Sequence, residues 1–216
     1  MTSVRYVCAL AISLLLAGCG SEPNDVPTPP PTTSAPASTT SAAALPPVPD
    51  IPFRDYLASI GVTAQPVPIA EAAGLEVTVP VPAGWARAAE PLFAAGLEFV
   101  RQIGATGDAP SATLMAIRLD GDFDPKDAIR HANVDALPPR ATGVTQSFDD
   151  YQGLPSAQAQ GVSDGAEHYS RFVIATVPPA GPHYLVQLTA TSPDTQPIAQ
   201  SPELTDIIDG FTVVAK

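Results

Sequence analysis

The sequence predicts an α+β domain: a largely antiparallel sheet covered by helices. Apolar residues recur at helical spacing near the start, the middle and the end of residues 50–216. Between the second and third of these segments, strand-like runs follow one another directly. Turns rich in Gly, Pro and Asp separate the runs. Helices at both ends and one in the middle, around consecutive strands, indicate α+β rather than an alternating parallel fold.

The chain opens with a different kind of segment. Arg5 and the terminal amine form a short positive region, and residues 7–16 are apolar. That run is too short for a spanning helix, which needs about 20 apolar residues, and it reads as a signal peptide over residues 1–18. Leu16-Ala17-Gly18-Cys19 resembles the lipobox of bacterial lipoproteins. Small Ala17 and Gly18 let an extended backbone enter a signal peptidase, and the Cys19 sulfur is the nucleophile that accepts a lipid. The expectation is therefore cleavage before Cys19, lipidation of Cys19, and anchoring at the extracytoplasmic face of the cell membrane. Cys8 lies within the apolar run and reads as a small hydrophobe. Residues 19–49 are dominated by Pro, Ser, Thr and Ala. They have little to bury and read as a disordered tether, reaching toward ~90 Å if fully extended.

In the domain, Phe53, Leu57 and Ile60 mark a short amphipathic helix ended by Gly61. Residues 75–81 show incomplete alternation and read as a strand. Pro82-Ala83-Gly84-Trp85 is a turn delivering the single Trp, read as a plug of the core. Residues 92–103 fit a helix or a strand, whereas 113–119 are a strand. Asp124-Pro125-Lys126-Asp127 starts a helix with Asp124 as cap and Pro125 in the first turn, running to about residue 136 before Pro138-Pro139. Strands are expected at 157–162, 168–177 and 183–191, a short helix at 204–208, and a closing strand or tail at 211–214.

Charge removes some functions. Against 22 Asp and Glu stand 10 Lys and Arg, a formal net charge of -12, opposite to what nucleic acid or an anionic membrane surface requires. The residue patterns offer no catalytic set, no metal site and no cofactor motif. Asp120, Asp122 and Asp124 alternate like a calcium loop, but Pro125 and His131 stand where that loop needs Gly and Glu. His131, His168 and His183 lack zinc spacing. No Gly-x-Ser-x-Gly elbow or phosphate loop is present, and Asp149-Asp150 reads as loop charge. One constellation is a candidate for ligand binding: Tyr169, Arg171 and Tyr184 would share a sheet face if their strands formed a hairpin.

From residue 51 to 214 the chain resembles the LpqN/LpqT family of actinobacterial, chiefly mycobacterial, lipoproteins. The likeness lies in Phe53-Arg54-Asp55-Tyr56-Leu57, the Pro82-Ala83-Gly84-Trp85 turn and the run Leu119-Asp120-Gly121-Asp122-Phe123-Asp124-Pro125. Gly153-Leu154-Pro155 and Tyr184-Leu185-Val186-Gln187-Leu188-Thr189 complete it. The resemblance implies a PsbP-like α/β/α sandwich around an antiparallel sheet, an envelope location and no known enzymatic activity. It also favours a strand within 92–103. The functional expectation is a non-enzymatic binding or accessory module in cell-envelope assembly or transport, partnered by the membrane and by an envelope protein or lipid. The alternative is a carrier holding a lipid or other apolar molecule between sheet and helices.

Overall fold

In the computed structural model, the described residues are 51–89 and 96–216. The expected signal peptide, lipidated Cys19 and tether lie outside them. The chain enters through α1 (Phe53–Ser59). Phe53 and Leu57, four residues apart, point inward, while Arg54 and Asp55 face solvent. The helix ends as the sequence requires: Gly61 adopts φ 78°. The amides of Gly61 and Val62 then return to the carbonyls of Ala58 and Leu57 at 3.1 and 2.9 Å. This is a Schellman closure, and Val62 and Leu57 join the same apolar cluster.

The central sheet contains β1 (Thr63–Val67), β3 (Trp85–Ala89), β4 (Leu97–Gln102), β5 (Ser111–Asp120), β6 (Thr142–Ser147), β7 (Ser156–Ser163), β8 (Ala166–Thr176) and β9 (His183–Pro193). Their order is β3-β4-β5-β9-β8-β7-β6, and every pairing is antiparallel. β1 lies end to end with β4 along one edge of β5. There, a Cβ on Gly96 would come within 2.2 Å of the Val67 carbonyl oxygen, so only glycine fits. Pro66 is tolerated because β1 is an edge strand.

Alternation sends apolar residues to both faces. On one, Leu114, Val173, Val186 and Leu188 pack against α3 (Pro202–Asp209), Phe211 and a small ladder. That ladder pairs β2 (Leu75–Thr78) with β10 (Thr212–Ala215). On the other, Leu119, Phe172, Ile174 and Leu185 meet α1, α2 (Pro125–Ala128) and a 3-10 segment, Ile129–Asp135. The α/β/α layering is thus present, with one outer layer built from a helix and a small β-ladder together.

Several expectations change in detail. The helix foreseen over 124–136 is α-helical only to Ala128 and then winds into the 3-10 segment. Its alanines at 128, 132 and 136 sit with Ala157 and Ala159 of β7 in one cluster, small enough for the backbone to lie close on the sheet. Asn133 donates to the Gln158 carbonyl at 3.1 Å and Ser170 to the Ala136 carbonyl at 2.7 Å, fixing the tighter winding. Asp124 caps α2 as expected, accepting from the Lys126 amide at 2.8 Å. The ambiguous 92–103 stretch contains β4, and residues 90–95 lie outside the described ones. Trp85 begins β3 half-buried, packed against the α3-side core.

Candidate functional site: an apolar groove beside the first helix

Tyr169, Arg171 and Tyr184 do share one face of the sheet. Arg171 pairs with Leu188 and Tyr184 with Ala175, so Tyr184 stands two same-face positions further along. Tyr169 and Arg171 meet in a cluster that binds the molecule to itself. The Arg171 guanidinium lies 4.1 Å from the centre of the Tyr151 ring, donates to the Tyr169 hydroxyl at 2.8 Å, and also donates to Gln158. Tyr151 donates to the Phe211 carbonyl and stacks on Phe211. Burial raises the Tyr169 and Tyr151 hydroxyl pKa values, opposed by the positive charge of Arg171. These groups are occupied in joining β7 and β8 to the segment after α3.

The histidines are equally separate. The β8–β9 register sets His168 opposite Thr191 and His183 opposite Thr176, at opposite ends of the pair. His131 is buried, with its ring stacked on Tyr56 at 3.7 Å between α1 and the 3-10 segment. Burial lowers its pKa, partly offset by Asp127. The supposed calcium-loop acids have local duties: Asp120 pairs with Arg118 at 2.9 Å, and Asp124 caps α2. Lys126 reaches Asp150 at 3.8 Å. Among the described residues, no group of three or more His, Cys, Asp or Glu side chains is placed to hold a metal ion.

The site that sequence reasoning did not resolve lies on the helical face with α1. A seven-residue helix is ~10 Å long, while the ten residues of β5 extend over ~34 Å. One short helix therefore leaves the strand incompletely covered. Beside it lies a groove of about 380 Å3. Its floor is Phe53, Leu57, Leu119 and Leu185, all buried, with half-buried Ile117. Exposed Ala64 and Pro66 of β1 form one rim. Among the described residues lining it, Arg54 is the only charged one. The volume falls within the ~300–1,000 Å3 of small-molecule sites, which are mostly apolar with few polar groups. Such a surface can desolvate hydrocarbon and has no nucleophile or acid–base pair. The strand alternation at Ile117 and Leu119 and the shortness of the first helical run were the available signals.

Comparison with known proteins agrees with this architecture. The model of the Lpp-LpqN family, described as "Probable lipoprotein LpqN", matches residues 49–214. The lipoprotein LpqT of Mycobacterium leprae is 40% identical over 172 residues, 77% of this chain and 78% of its own length. LpqT of Mycobacterium tuberculosis is 36% identical over 173 residues, covering 77% of this chain and 75% of its own. The crystal structure of Mycobacterium tuberculosis LpqN, a protein involved in cell envelope biogenesis, superimposes with a TM-score of 0.61 at 20% identity. That likeness covers 77% of this chain and 99% of LpqN and concerns the fold. The chain belongs to the LpqN lipoprotein family.

Proposed function

We propose that the protein is a membrane-tethered, non-enzymatic binding module of the cell envelope that holds a lipid chain in the groove beside α1. The groove carries this reading: buried Phe53, Leu57, Leu119 and Leu185 line a hollow open along β1. Membership of a lipoprotein family supports attachment to the membrane by a lipid anchor, with Cys19 as the attachment point. The role of LpqN in envelope biogenesis supports the setting. A tethered domain works at high effective concentration near the membrane, so modest affinity for a lipid is sufficient. Native mass spectrometry tests this on the chain from Gly20 onward, secreted by an actinobacterial host. A retained adduct of lipid mass, reduced by Leu57→Gln, is expected; a clean mass would contradict it.

A second reading, docking to an envelope protein, rests on β6. It ends the sheet, and Val144, Phe148 and Val162 are exposed in and beside it. A strand edge carrying exposed apolar side chains is a surface another chain can cover. Crosslinking in intact envelopes through position 144 tests it, and a specific protein adduct is the expected result.

A further inference from the structure

We infer that the groove ligand is a long-chain fatty acid, its carboxylate held by Arg54; this rests on the groove being the binding site. The chain carries a net charge of -12, which disfavours anions over most of its surface. At the groove that balance is inverted, since among the described residues Arg54 lines it and no carboxylate does. Elsewhere among the described residues the cations are commonly engaged. Arg87 pairs with Glu98 at 3.2 Å, Arg118 with Asp120, Lys126 with Asp150, and Lys216 with Glu76. Arg171 is held by Gln158 and Tyr169. Arg54 is exposed, on the first turn of α1, next to buried Phe53 and one turn from Leu57.

A guanidinium is a planar fork that matches a carboxylate bidentately, and its apolar stem can lie along hydrocarbon. A cation beside an apolar hollow therefore complements an amphiphile with one negative end. At about 380 Å3 the hollow sits at the small end of ligand sites, which suits one acyl chain rather than the two of a phospholipid. Three acids are near Arg54 but none lines the groove: exposed Asp55 follows it on α1, Asp135 accepts the Phe53 amide at 3.1 Å, and Asp127 accepts the Tyr56 hydroxyl at 3.2 Å.

The test compares radiolabelled palmitate with its uncharged methyl ester, using the chain from Gly20 onward at pH 8. Palmitate should bind at least tenfold more tightly than the ester. Arg54→Gln should remove that preference while leaving ester affinity within twofold, and Arg54→Lys should restore some of it. Equal affinity for acid and ester, or an equal loss of both in Arg54→Gln, would overturn the carboxylate assignment and leave the apolar groove standing. A single-chain lysophospholipid binding more tightly than palmitate would also overturn it, in favour of a phosphate head. Binding of neither palmitate nor ester would overturn the groove reading itself.

Discussion

Arg171 lies against the Tyr151 ring, with its donors spent on Tyr169 and Gln158. It thereby donates to the buried Tyr169 hydroxyl and to half-buried Gln158. Arg171→Met is expected to lower stability by about 1–3 kcal/mol in urea unfolding, with fatty-acid affinity unchanged. Intact stability with lost binding would instead make the Tyr169–Arg171 face a ligand site. From the sequence, ordinary core and edge residues would look the same as a ligand site here, because alternation gives a face but not its neighbours. Tyr151 and Phe211, far apart in the chain, close the cluster only in the fold. His131 is the other informative side chain. Burial sets its folded pKa below the ordinary value of 6.5, so the unfolded chain binds more protons as pH falls through that region. The stability it contributes is therefore complete above about pH 6.5 and declines below it. Between about pH 7.5 and 5.5, the wild-type urea midpoint should fall more steeply than that of His131→Gln; parallel profiles would exclude this linkage.

At the scale of elements, α1 matters out of proportion to its seven residues. It forms one wall of the groove, stacks Tyr56 on His131, and ends at a Gly61 whose φ of 78° the Schellman closure requires. Any other L-residue there incurs the left-handed backbone cost, so Gly61→Ala should lower stability by about 1–2 kcal/mol. Fatty-acid affinity should fall with it as the wall loosens; unchanged stability would mean α1 ends differently. This helix was legible because Phe53 and Leu57 state its face and Gly61 its stop, whereas Ile60, also read as part of that face, is the exposed C-cap. β5, β7, β8 and β9 were legible as strand-like runs bounded by turn residues, with alternation clearest in β5 and a nearly continuous buried run in β8. β1, β3 and β6 were not. Thr63–Val67 contains a proline, Trp85–Ala89 is mainly small residues, and Thr142–Ser147 is almost wholly exposed. Such edge strands are held by ladder bonds to a neighbour, and their own side chains carry little pattern. The 3-10 winding of Ile129–Asp135 was hidden for a related reason. Over so short a segment, a period of ~3.0 is barely separable from ~3.6, and the contacts of Asn133 and Ser170 decide it.

For the whole molecule, one antiparallel sheet serves two apolar clusters, and the layers on its two faces differ in completeness. α3, Phe211 and the β2–β10 ladder close one side over a broad core. On the other, α1 and the 3-10 segment leave the groove beside β1. The layered fold could be read from the order of elements, but the groove depends on how far a short helix reaches across a long strand. Occupation of that groove by an acyl chain can be mapped with a photoreactive diazirine fatty acid, crosslinked to the chain from Gly20 onward and located by peptide mass spectrometry. Adducts should concentrate on 53–57, 64–66 and 117–119, and excess palmitate should suppress them. Adducts centred on the α3 side around Trp85 or Phe211, or scattered without competition, would contradict lipid binding in the groove.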